Sequence, residues 1–269
     1  MNMLRKPVVS GQFYPQTEES LNRMLAKLID LETKKHEVKG IIMPHAGYVY
    51  SGHVAGATIS KVNIKKTTVI LGTNHTATGK PFSIMSKGAW MTPLGEAKID
   101  TEIAEAILKG SKLIEEDASA HMYEHSIEVE IPFLQYIQKG IKIVPIVISQ
   151  GNIEQYKEIA NEIADAFKKV GRDALFIAST DFTHYEPKET AVEKDRLAID
   201  AILSLDEEKL CHVVKANNIS MCGAAPTCTL ISLCKNLGAQ KAGLVKYQTS
   251  GDTSGDNTSV VGYAGLTIW

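Results

Sequence analysis

IKIVPIVISQGNIEQYKEIANEIADAFKKVGRDALFIAS, residues 141–179, is the stretch whose reading decides the fold. Its apolar run at 141–148 has the length of a buried strand. Residues 153–170 then place Ile153, Tyr156, Ile159, Ile163, Phe167 and Val170 on one face at helical spacing. A second apolar run follows at 174–178. Working outward, similar runs occur at 38–43, 68–71, 242–247 and 259–268, and helical patterns at 18–31, 101–108, 127–138, 193–203 and 225–237. Residues 82–99, with Lys87-Gly88 and Pro93 to Gly95, read as a hairpin excursion. Strands alternating with helices predict an α/β fold, a three-layer α/β/α arrangement around a mostly parallel or mixed sheet. No linker, repeat or low-complexity tract divides the chain, and TSGDTSGDNTS at 249–259 reads as a polar loop. One domain over residues 1–269 is the expectation.

Composition excludes some classes of function. The 269 residues are 44% hydrophobic and 22% charged, with a net charge of −2, so no bulk attraction to nucleic acid or to an anionic membrane is expected. The N-terminus lacks the apolar run of a signal peptide, and no stretch of about 18 apolar residues predicts a membrane span. The four cysteines, Cys211, Cys222, Cys228 and Cys234, form no C-x-x-C motif. They read as thiols in a reducing cytoplasm, the expected location.

In α/β folds, sites form beyond the carboxyl ends of the strands. Here IIMPHAGYVYSG places His45 just past the first such strand, VILGTNHT places Asn74 and His75 past the second, and FIASTDFTHY places Asp181 and His184 past another. A lone histidine is more often a structural hydrogen-bonding group. Three delivered to one sheet edge point to a metal site, with a remaining imidazole as acid or base. Asp181 is placed to orient an imidazole, or merely to cap a turn. In ISMCGAAPTCTL, Cys222 precedes a helix start, where the dipole favours a thiolate ligand or nucleophile. The other three cysteines read as small core residues. HMYEHSIEVE, residues 121–130, contains H-x-x-E-H, the spacing of one class of zinc peptidases. That reading leaves His45, His75 and His184 without a task. A helix starting near Ser126, with His125 and Glu128 aimed at the site, accounts for more.

Taken in order, RKPVVSGQFYP, PHAGYVYSG, LGTNHT, EHSIEVEIPFL, STDFTHY, MCG and TSVVGYAGLTIW resemble the Memo family, from residue 5 to the C-terminus. The resemblance implies a fold like that of the class III extradiol dioxygenases (LigB-like), which hold Fe(II) with two histidines and a glutamate. It implies His45 and His75 as imidazole ligands, Cys222 in the third ligand position and His184 as the acid/base histidine. It also implies that His125 and Glu128 line the same pocket. Iron or copper, with zinc as a further option, and redox or oxygenase-like chemistry are the implied cofactors and activity. A thiolate in place of the carboxylate is softer and more easily oxidised, so the fold alone does not carry dioxygenase activity. The implied partners are an AMMECR-type protein and a radical SAM protein, the AmmeMemoRadiSam association. Two alternatives stay open. One is a metal-free thiol enzyme with Cys222 as nucleophile, His184 as base and Asp181 as orienter. The other is a binding module for a small molecule or peptide, with Tyr48, Tyr50 and Trp90 lining the cleft.

Overall fold

The deciding stretch folds as its local chemistry directs. In the computed structural model, which describes residues 3–269, residues Lys142–Ile148 and Leu175–Ser179 are strands and Ile153–Val170 is the helix between them. Asn152 starts that helix by accepting the Gln155 N–H, and the Gln155 side chain reaches back to the Asn152 backbone. Gly171 stops it at φ 67°, a left-handed conformation that costs glycine nothing.

In chain order the elements are β1 (Leu4–Arg5), α1 (Glu18–Leu28), β2 (Gly40–Met43), α2 (Tyr48–Ser60), β3 (Thr67–Gly72), β4 (Phe82–Ile84), β5 (Ala89–Thr92), β6 (Gly95–Ile99), α3 (Thr101–Gly110), β7 (Glu115–Glu116), α4 (Ser119–Met122), a 3-10 turn (Glu128–Glu130), α5 (Ile131–Ile137), β8 (Lys142–Ile148), α6 (Ile153–Val170), β9 (Leu175–Ser179), β10 (His184–Glu186), α7 (Lys188–Leu203), α8 (Glu207–Ala216), α9 (Ala224–Asn236), β11 (Ala242–Thr249), α10 (Gly251–Ser254) and β12 (Val260–Ile268). The sheet runs β1-β5-β6-β8-β3-β9-β2-β12-β10, with β11 beside β12 and β4 and β7 attached near β8. Its centre, β6-β8-β3-β9-β2, is parallel. β12 pairs antiparallel with β2, β10 and β11. The sheet is therefore mixed. α3, α6, α8 and α9 pack together on one face, and α1, α2 and α5 on the other. A continuous apolar core fills both layers, and the central strands are buried on both faces.

Two expectations change in detail, and one helix was not expected at all. Only β5 and β6 form the hairpin predicted for 82–99; β4 instead pairs antiparallel with β8 and parallel with β7. The helix expected at 127–138 is a 3-10 turn followed by the short α5, with Pro132 in the first turn of α5. The sequence pattern did not announce α2, because its residues are small and buried almost all round. A Cβ at Gly56 would lie 2.2 Å from the Leu28 carbonyl oxygen, so α2 and the end of α1 meet backbone to backbone. Among the described residues, no helix is long and apolar enough to cross a membrane.

The three adjacent parallel strands β3, β9 and β2 all end at the same edge. That edge carries the histidines.

Candidate metal centre

β2 ends at Met43 and delivers His45; β3 ends at Gly72 and delivers His75; β9, lying between them, ends at Ser179 and delivers Asp181. His125 arrives from the segment before the 3-10 turn. One ring nitrogen from each of His45, His75 and His125 falls within 4.8 Å of the others. The His75 and His125 rings stack at 4.5 Å between centroids, and His45 stands edge-on to both, at 5.1 and 5.4 Å. His45 is buried, His125 half-buried and His75 exposed. They line an open cavity of about 460 Å³ shared with Asp181, His184, Cys222, Phe13, Tyr185 and Tyr263.

Hydrogen bonds fix which nitrogen carries the proton on His75, His45 and His184. His75 Nδ1 is 2.9 Å from Glu124 Oε1, an oxygen that only accepts, so Nδ1 carries the proton and Nε2 keeps its lone pair. His45 Nδ1 is 2.9 Å from Ser179 Oγ. That hydroxyl lies 2.7 Å from the Ser126 carbonyl and 2.8 Å from Glu130 Oε1, and it donates its proton to that side. It therefore accepts from His45 Nδ1–H, and His45 Nε2 is also left with its lone pair. His184 Nδ1 is 2.9 Å from the Ser220 carbonyl oxygen, which leaves its Nε2 free as well. Oxygen acceptors that hold the Nδ1–H of an imidazole are the usual outer support of metal-ligating histidines. Burial, reinforced by the neighbouring imidazoles, holds His45 well below the ordinary histidine value, so it is neutral at physiological pH. Burial lowers His125 in the same way.

Glu124 is the main support that sequence reasoning missed. It is fully buried and accepts from the His75 N–H, His75 Nδ1 and the Ser126 N–H. Burial works against its charge, but the His75 hydrogen bond and the Ser126 N–H more than offset it and hold the carboxyl at about 2. The signal was in H-x-x-E-H, whose glutamate is this residue. His121 of the same motif lies elsewhere, buried edge-on to Trp90 at 6.0 Å. The peptidase spacing is thus divided between core and site.

Cys222 lies against His45, with Sγ 3.3 Å from His45 Nε2, and accepts the Asp181 N–H at 3.2 Å. The three clustered ring nitrogens belong to His45, His75 and His125, and the Cys222 sulfur lies on the His45 side of that cluster. The expectation of a dipole-favoured thiolate is corrected: burial, then the Asp181 charge, pushes the Cys222 thiol up. Its sulfur meets His45 Nε2, not His184, so the Cys222–His184 pair of the thiol-enzyme alternative is not made. Asp181 accepts the His45 N–H at 2.9 Å, and burial pushes its carboxyl up to about 6.

Glu128 requires a correction. It does not line the cavity; its carboxylate turns toward the N-terminal segment, where it accepts from Arg5, the Val8 and Val9 N–H groups and the Tyr14 hydroxyl. The aromatic expectation changes too. Tyr48 and Trp90 are core residues, Tyr48 donating to the Val129 carbonyl and Trp90 lying under the Arg5 guanidinium. The aromatics at the cavity are Phe13, Tyr263 and Tyr185, the last 79% exposed at φ 59°.

The fold and site define a class: an α/β protein with a histidine-rich pocket at the carboxyl edge of its central parallel strands. The sequence model of the Memo-like protein family matches residues 5–267. A MEMO1 family protein of Methanopyrus kandleri is 41% identical over 278 residues, covering 98% of each chain. Another, from Methanothermobacter thermautotrophicus, is 41% identical over 276 residues and covers 98% of this chain and 100% of its own. The chain belongs to the Memo family. An uncharacterised protein of Escherichia coli K12 is similar in fold, with a TM-score of 0.57 at 14% identity over 86% of this chain and 100% of its own.

Proposed function

We propose that this protein binds a transition-metal ion at His45, His75 and His125, with Cys222 beside His45, and that iron or copper, or zinc, is the ion held. The observation that carries the reading is the pairing of unprotonated Nε2 atoms on His45 and His75, the former facing the Cys222 sulfur, with Nδ1 atoms already committed to Ser179 and Glu124. Imidazoles with a nearby soft sulfur suit borderline and soft ions better than magnesium or calcium. Such an ion supplies Lewis acidity, and iron or copper adds redox chemistry.

The chain's own groups supply the rest. His184 Nε2, free to accept, takes a proton from a molecule bound in the cavity, while the Ser220 carbonyl holds the ring through Nδ1–H. Asp181 fixes the His45 backbone, and its carboxyl, at about 6, is placed to exchange a proton near neutral pH. Phe13 backs the His125 ring at 5.1 Å, and Tyr185 and Tyr263 offer aromatic surface to a small molecule or peptide. On this reading the activity is a metal-dependent oxidoreductase's, and the AMMECR-type and radical SAM proteins are the expected partners.

Elemental analysis of untagged protein purified without oxygen tests the reading, beside His45→Ala, His75→Ala, His125→Ala and Cys222→Ser. About one equivalent of metal is expected in the wild type, with loss in each histidine variant at unchanged circular dichroism. Failure of the wild type to take up Fe(II), Cu(I) or Zn(II) would sink it.

A further inference from the structure

A second sulfur site lies behind the histidine cavity. Cys211 in α8 and Cys228 in α9 place their Sγ atoms 2.8 Å apart. That is inside ordinary non-bonded contact and a short movement from the ~2.05 Å of a disulfide. Both are free thiols here. Cys211 is half-buried and opens on a cavity of about 510 Å³ that also reaches Ser220 and Cys222. Cys228 is fully buried behind it. Cys222 and Cys234 have other neighbours: Cys222 faces His45, and Cys234 packs against Gly40 of β2.

The position of the pair in the chain gives it consequence. The segment between the two helices, residues 217–223, carries Ser220 and Cys222. Ser220 accepts the His184 N–H on its hydroxyl at 2.7 Å and the His184 ring on its carbonyl at 2.9 Å. Cys222 abuts His45. The two thiols thus sit at the neck of the loop that supplies two residues to the histidine cavity.

We propose that Cys211 and Cys228 form a reversible thiol–disulfide site that takes small-molecule disulfides as its oxidant and, when closed, fixes the 217–223 loop beside the histidine cavity. The inference is independent of the metal reading, since neither sulfur belongs to the histidine cluster.

The exchange balances in two steps. Cys211, as thiolate, attacks one sulfur of RSSR; the S–S bond breaks, RS⁻ leaves and takes up the proton Cys211 released. Cys228 Sγ then attacks Cys211 Sγ, the mixed disulfide breaks, and the second RS⁻ departs with the Cys228 proton. Two protein thiols lose two electrons, and RSSR becomes two RSH. The order of attack follows from the pair itself. The contact between the two sulfurs lowers the Cys211 thiol, and the same contact, with burial, raises Cys228. The outer sulfur ionises first, and it is the one a solute can reach.

The experiment titrates the reduced full-length protein with oxidised glutathione, blocks remaining thiols and maps peptides without reductant. The expected result is a Cys211–Cys228 cross-link that dithiothreitol reverses, with Cys222 and Cys234 still alkylatable after unfolding. Hydrogen exchange across 217–223 slows in the oxidised form, and Tm rises. Cys228→Ser traps glutathione on Cys211, whereas Cys211→Ser takes up none at Cys228. No cross-link in the folded wild type at saturating oxidant, or one pairing either sulfur with Cys222, overturns the proposal. Unchanged exchange across 217–223 in the cross-linked protein overturns its link to the cavity.

Discussion

Replacing Glu128 by alanine separates a structural carboxylate from a functional one. Both Arg5 and Glu128 side chains are 0% exposed and form an ion pair. Arg5 also donates to the carbonyls of Lys6, His121 and Glu124 and stacks 4.1 Å over Trp90. Removing Glu128 strands that charge and orphans the Val8 and Val9 N–H groups and the Tyr14 hydroxyl. Breaking a buried pair from one side costs about 3–5 kcal/mol. Each orphaned donor adds about 1–3 kcal/mol, less whatever water entering the hole recovers. The expected loss is about 5 kcal/mol, a third or more of the stability of an ordinary domain. At roughly 2–4 °C per kcal/mol for a chain of this size, Tm falls by about 10 °C or more. Glu128→Gln, which keeps an acceptor but loses the charge, falls between. Urea melts with an unchanged slope read the loss, and metal titration of the folded variant reads the site, which is expected to be intact. A Glu128→Ala protein that melts like the wild type yet loses its metal would refute the structural assignment.

Glu124→Gln removes the charged acceptor behind His75 and is expected to weaken metal affinity about 10–100-fold, measured by competition with a chelator. Burial pushes Asp100 up, but hydrogen bonds from Arg172 and Thr67 more than offset this and leave its carboxyl below the usual value. A carboxyl depressed by folding stabilises above its unfolded pKa and loses that contribution as pH falls through its folded pKa. Asp100→Asn, read by urea melts against pH, is therefore expected to cost about 1–2 kcal/mol at neutral pH, with the gap closing below about pH 4. A Cβ at Gly223 would lie 2.4 Å from Thr180 Cβ and 2.5 Å from the Ser179 carbonyl oxygen. Gly223→Ala is thus expected to push the start of α9 off β9, to cost about 1–3 kcal/mol, and to change how Cys222→Ser affects metal uptake.

The sequence made the layers legible because the buried strands are short apolar runs and α6 is strongly amphipathic with a capping box. It placed His45, His75 and Asp181 at one edge because a strand end is a local property, and parallel strands carry their ends to one side. It did not reveal α2, whose small buried residues show no stripe, nor the division of labour among acidic residues in EHSIEVE. Glu124, Glu128 and Glu130 are all buried within a few residues of one another, and turn geometry alone decides which side chain faces which partner. Glu124 points at His75, Glu128 at Arg5 and Glu130 at Ser179. No periodicity encodes that choice. His125 and Cys222 were both legible as site residues, but their order of closeness to His45 and His75 depends on side-chain packing across more than one loop.

The strand order β3-β9-β2 bears on how the chain folds as well as on what it does. His45 and Cys222 are 177 positions apart in sequence and 3.3 Å apart in space. An unfolded chain therefore offers a ligand only scattered single imidazoles. The pocket exists only once three parallel strands have found their register, and parallel pairing between distant segments is among the slower events in folding. A one-residue slip of β2 would turn its side chains to the opposite face and carry the His45 turn with it. Any ion that prefers the assembled pocket then acts as an inspector of the finished sheet, stabilising correctly registered chains by mass action and leaving mispaired ones exposed to proteolysis.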